Sequence, residues 1–261
     1  MAKVNARLAE SPEDGGLWFQ RAFLNLEHED VAQALADLEK AEALAPGKLP
    51  TLFLKGRALE MTGNFIEART ALDAQILRFP EDGRSYAARA QVLEKLELAE
   101  LSLADYRTAL AKTADANPDL LQPAAVAMAK YGHREEALEI LETGIKRLGG
   151  IPSLVSKAIE IELDAGQFDS ALARVVRAEK SALRPEPWMV QRAEVLARAG
   201  RVRESRAAWQ SLISHLIALP EPERESHAML LILQHAQEAL RVLNAVPTMP
   251  SQQNPFTRSN L

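Results

Sequence analysis

The sequence predicts an all-α protein built from repeated helix–turn–helix units, on three observations. Alanine and leucine are abundant while aromatics are only 5%, a bias toward strong helix formers. A repeat runs through the chain: Ala34, Ala68 and Ser102 are 34 residues apart, and Ala137, Ala171 and Ser205 follow with steps of 35, 34 and 34. Five residues before each of these lies a turn position: Glu29, Gly63, Glu97, Gly132, Gly166 and Gly200. Four of the six are glycine, the residue favoured where a helix ends in the left-handed region.

Numbering each unit from 1 to 34 places six units at 15–48, 49–82, 83–117, 118–151, 152–185 and 186–219. Position 8 carries Ala22, Gly56, Ala90, Ala125, Ile159 and Ala193, and position 20 is Ala or Ser throughout. Small residues there let two helices approach. Position 4 carries Trp18, Leu52, Tyr86, Leu121, Val155 and Met189, and position 24 carries Leu38, Leu72, Tyr106, Leu141, Val175 and Trp209. These larger side chains fill the remaining space. Ile159, together with Gln75 and Leu212 at position 27, departs from the pattern. Each unit reads as two amphipathic helices of about 12 residues joined by a turn. One such pair cannot bury its apolar face, whereas stacked neighbours can.

The ends differ from the units. Pro12 lies 34 residues before Pro46, so residues 1–14 read as the tail of a second helix without its partner. That is expected either of a short N-terminal cap or of a chain continuing upstream. Pro220 and Pro222 break the array, and residues 220–245 are expected to form a capping helix, near Pro222 to Leu243. Its apolar face shields the last unit or makes a homodimer contact. Residues 246–261 are polar and proline-bearing, and read as a disordered tail.

The six registered units resemble the tetratricopeptide repeat (TPR) family. The resemblance implies a right-handed superhelical solenoid whose concave face is lined mainly by the first helix of each unit. It further implies a protein–protein interaction module or adaptor that captures a peptide or helix of a partner. Positions 2, 5, 6, 9, 12 and 13 of the first helix usually face the groove in this family. They supply Phe19, Gln20 and Phe23, then Phe53, Arg57 and Met61, then Arg84, Gln91 and Lys95. Phe19, Phe23, Phe53, Arg57 and Arg84 are the candidate partner-binding residues: the rings suit an apolar side chain, the arginines its carboxylates. If repeats precede this chain, Phe19 and Phe23 instead pack against them or against the N-terminal stub. Replacing Phe53 and Arg57 together by alanine is expected to weaken partner binding without unfolding. The family's carboxylate clamp for chaperone C-termini is not kept, since its places hold Phe19, Phe23, Leu54, Arg84 and Ala88.

Other functions find little support in the residues. Cysteine is absent, which removes disulfides and thiolate chemistry. His28, His133, His215, His227 and His235 lack the spacing of a helical zinc site. No catalytic residue, metal site or cofactor is therefore assigned, and the chain is read as a non-enzyme. The net charge of −5 disfavours nucleic acid. Arg201, Arg203 and Arg206 around the last turn read as a solvated edge. No run of 18 apolar residues is long enough for a membrane span. The rival reading is a scaffold or spacer in a larger, envelope-associated assembly. The compartment follows the same division: cytoplasmic for a complete chain, periplasmic or envelope-associated if an upstream signal or anchor has been removed.

Overall fold

The computed structural model describes residues 1–115 and 117–245. The reading of 246–261 as disordered lies outside the described residues. The described residues are all-α, and they fall into two compact units that divide between Leu154 and Val155.

The first unit holds α1 (Ala2–Glu10), α2 (Gly15–Glu27), α3 (Val31–Leu44), α4 (Thr51–Met61), α5 (Phe65–Arg78), α6 (Gly83–Lys95), α7 (Ala99–Lys112), α8 (Pro118–Lys130) and α9 (Arg134–Leu148). Side-chain caps start several of these helices. Asp14 accepts from the Gly16 amide at 2.8 Å, and Asn117 accepts from the Asp119 amide at 2.9 Å just before Pro118. Within the pairs α2/α3, α4/α5, α6/α7 and α8/α9 the two helices pack along their length. The reason is steric: Ala22, Ala34, Ala68, Ala90, Ala125 and Ala137 are fully buried where the helices meet. Ser102 replaces alanine at one such place and satisfies its hydroxyl by donating to the Ala90 carbonyl at 2.9 Å. The turns between paired helices adopt positive φ: 77° at Gly63 and 92° at Gly132, but also 60° at Glu29 and 59° at Glu97. The last two are non-glycine residues held in a region that side chains disfavour.

Buried charge recurs at one register. The Arg21 guanidinium donates twice to Asp37, at 2.7 Å each, and Asn25 also donates to this carboxylate. Arg89 donates to both Asp105 oxygens, at 2.6 and 2.8 Å, and to Asp73. Both Arg–Asp pairs join residues 16 apart across a helix pair. The short helix α1 sets Val4 and Leu8 on Leu17, with Trp18 and Leu24 alongside. The Trp18 indole donates to the Pro12 carbonyl at 2.7 Å, tying the stub to α2.

The boundary falls inside α10 (Pro152–Asp164). The second unit continues with α11 (Phe168–Ser181), α12 (Glu186–Arg198), α13 (Val202–Ala218), α14 (Glu221–Arg224) and α15 (His227–Ala245). Ser205 donates to the Ala193 carbonyl at 2.8 Å, the same device as at Ser102. The C-terminal segment is two helices rather than one. Ser226 stands between them, and its hydroxyl accepts from the Met229 amide at 3.4 Å, starting α15 there. The inward face of α15, including Met229, Ile232, Leu233, Ala236 and Leu240, packs on Trp209, Leu212 and Leu216 of α13. No helix of the described residues is long and apolar enough to cross a membrane.

Candidate partner-binding surface

All five residues singled out from the sequence lie in the first unit. Phe19 and Phe53 are half-buried against a cluster that includes Ala22, Leu38, Leu54 and Ala58. Phe53 also packs on a second cluster that includes Leu72, Ala88 and Val92. It is thus a packing residue between neighbouring helix pairs as well as a surface one. Phe23 is different, 47% exposed on α2. The stub α1 packs with Trp18 and Leu24, while Phe19 turns to the cluster shared with α4.

Of the two arginines, Arg84 places its guanidinium 5.8 Å from the centre of the Phe53 ring and 3.1 Å from Asp82. Arg57 donates to the Gln91 side-chain carbonyl at 2.8 Å and lies 3.5 Å from Glu60. The fold therefore brings Arg84 onto Phe53 and carries Arg57 toward α6.

Beyond Gln91 lies a cavity of about 570 Å³, bounded by Glu60 of α4, Gln91, Glu94 and Lys95 of α6, Tyr106 of α7, and residues of α8. The α8 wall is Pro118, Asp119, Gln122, Pro123, Val126 and Lys130. Tyr106 is fully buried, and its hydroxyl donates to Glu94 at 3.0 Å. Burial, then the neighbouring Glu94 charge, push the Tyr106 phenol well above its ordinary value. Burial likewise raises the Glu60 carboxyl, with Arg57 and Lys95 opposing it only in part. Such a cavity has a polar floor and a mixed wall, with Pro118, Pro123 and Val126 beside Asp119, Gln122 and Lys130. It offers acceptors to a bound side chain.

Sequence reasoning placed Gln91 and Lys95 on the inner face but did not single out Glu60, Glu94, Pro123 or Val126. The available signal was the same set of first-helix positions, carried on into the unit that begins at Pro118.

Elsewhere, several side chains with chemical potential are engaged within the fold. In the second unit Arg201 donates to Asp169 at 2.8 Å, and Arg206 donates to the Leu243 carbonyl at 3.0 Å. His215 pairs with the buried Glu186 at 3.0 Å, and His235 sits 5.2 Å from the Trp209 ring centre. Among the described residues no group of three or more His, Asp or Glu is placed to hold a metal ion.

Comparison with known proteins agrees with this geometry. Residues 25–92 match the family model described as tetratricopeptide repeat. No curated protein matches the chain in sequence. Among solved structures, Pseudomonas aeruginosa pilF superposes with a TM-score of 0.60 at 14% identity, over 87% of this chain and 98% of that one. The yeast Tom70 gives 0.59 at 16% identity over 80% of this chain, which spans only 45% of that one. A thermophilic TPR protein of Thermus thermophilus gives 0.51 at 19% identity, over 70% of this chain and 99% of that one. At these identities the likeness is one of fold. The tetratricopeptide repeat model matches residues 25–92, and the repeat period and helix pairs extend the same fold beyond that segment.

Proposed function

We propose that this chain is a protein–protein interaction module that holds a peptide or helix of a partner along α2, α4, α6 and α8. Tetratricopeptide repeats generally mediate protein–protein contacts and are generally non-catalytic. The observation that carries the specific reading is the cavity of about 570 Å³ on the inner faces of α4, α6 and α8, joined to Arg57 through Gln91. Phe19, Phe23, Phe53, Arg57 and Arg84 extend this surface toward the N-terminus. A row of preformed side chains on packed helices lowers the ordering cost of capture, because the protein has little left to immobilise. No enzymatic step and no cofactor enter the proposal.

The test is partner capture with crosslinking and mass spectrometry, comparing the natural chain with Phe23→Ala/Arg57→Ala. Phe23 is preferred to Phe53 because it is 47% exposed, so its loss leaves the core intact. A partner lost with the double variant, with the helical spectrum unchanged, supports the groove. A partner retained by both overturns it. The interface would then move to another surface, such as the outer side of α15, where Leu230, Leu231 and Val242 stand 49%, 52% and 57% exposed. Light scattering would detect a homodimer made through that helix.

A further inference from the structure

We infer that the cavity between α4, α6 and α8 is a specificity pocket for one long basic side chain, arginine above all, of the bound segment. This rests on the groove reading above and adds the chemistry of what the groove selects.

The first argument is the depth of the charges. The carboxylate-bearing side chains of Glu60 and Glu94 are only 17% and 21% exposed, while Lys130 at the mouth is 56% exposed. Lys95 is exposed as well. The deeper charges of the pocket are thus carboxylates, while its exposed rim carries Lys95 and Lys130 as well as Asp119. A second argument is that each deep carboxylate has a cationic neighbour in the fold and still faces the cavity. Arg57, 3.5 Å from Glu60, already donates to Gln91, and Lys130 stands 3.7 Å from Glu94. Burial still holds the Glu60 carboxyl above its ordinary value despite its cationic neighbours. A cation delivered to this depth would add to what Arg57 and Lys95 supply.

The third argument comes from the α8 wall. The exposed Asp119 carboxylate lines it and is a further acceptor for an incoming group. A guanidinium offers five donors in a plane and suits several acceptors at once. Its three-carbon stem matches the rest of the wall, Pro118, Pro123 and the 39% exposed Val126. The exposed lysines at the rim favour an acidic residue next to the basic one.

The experiment is selection of random 12-residue peptides on the full chain. The best peptide is then titrated against the natural chain, Glu60→Gln and Glu94→Gln by fluorescence anisotropy. The expected result is an arginine or lysine at one fixed position, with Asp or Glu adjacent. Replacing that arginine by citrulline, its neutral isostere, should weaken binding at least ten-fold on the natural chain. On the glutamine variants the same replacement should matter less than three-fold. Peptides that lose binding with Phe23→Ala/Arg57→Ala but show no basic position would overturn this inference and leave the groove standing. Peptides indifferent to every one of these variants, or no selected peptide at all, would overturn both. Glutamine keeps the size of both side chains, and at position 94 it can still accept from Tyr106, so lost discrimination reports on charge.

Discussion

The inter-helix turns allow a prediction with opposite signs at equivalent places. Gly63 and Glu97 lie 34 residues apart, with φ of 77° and 59°. A Cβ built on Gly63 meets nothing within 4 Å, so Gly63→Ala tests the backbone alone. Left-handed backbone costs a residue with a Cβ about 1–2 kcal/mol. Alanine also restricts the unfolded chain, which offsets about 0.4–1 kcal/mol. The net loss is about 0.5–1 kcal/mol. Glu97→Gly reverses both contributions and should gain a similar amount. At about 2–4 °C per kcal/mol for a chain of this size, the two midpoints should move about 1–4 °C in opposite directions. Thermal unfolding followed by circular dichroism in the far ultraviolet measures this. Gly63→Asn should fall between Gly63→Ala and the natural chain, because asparagine tolerates the left-handed region better. No shift in either variant, or shifts of the same sign, would refute the claim that backbone conformation decides stability at these turns.

Three further predictions follow from individual residues. Gln75 is fully buried, and neither its amide nitrogen nor its oxygen has a hydrogen-bond partner in the fold. Gln75→Met should therefore stabilise by about 1–3 kcal/mol in denaturant unfolding, and no gain would mean that ordered water satisfies the amide. Gly56→Ala builds a Cβ only 2.6 Å from Cγ of the fully buried Leu72. Overpacking of about 1–3 kcal/mol should outweigh the helix-propensity gain of about 1 kcal/mol, so an unfolding midpoint at or above the natural one contradicts the packing. Burial raises Glu60 above its ordinary 4.5, so the folded state holds this proton more tightly than the unfolded chain does. Its contribution is then most favourable below the unfolded value and is lost as pH rises through the folded one. Glu60→Gln should match the natural chain near pH 3.5 and exceed it in stability at pH 7, and a variant less stable at pH 7 would reverse the sign.

The all-α repeat class was legible because small residues return with a fixed period. A position where two helices touch admits only a small side chain, so Ala34, Ala68, Ser102 and Ala137 announce contact before any coordinate is known. The turn positions were legible for a related reason. A left-handed residue favours glycine, and the period extends the expectation to Glu29 and Glu97, where composition alone would not suggest it. Gln91 and Lys95 were named only through the groove positions that the family resemblance implies.

What spacing cannot supply is depth. Whether Glu60 lies deeper than Lys130 depends on how α4, α6, α7 and α8 pack together, and no one helix contains that information. The same holds for Phe53, which reads as an exposed ring on its own helix yet packs on two clusters drawn from four further helices. The division between Leu154 and Val155 has no mark in the repeat period. The sequence groups Arg201, Arg203 and Arg206 at one turn, while the fold of the second unit decides that Arg201 meets the exposed Asp169 and Arg206 the Leu243 carbonyl. Periodicity determines which side of a helix a residue occupies, because that is local geometry. The neighbours it meets there, and hence its charge environment, are decided by residues distant in sequence that only the tertiary fold brings into contact.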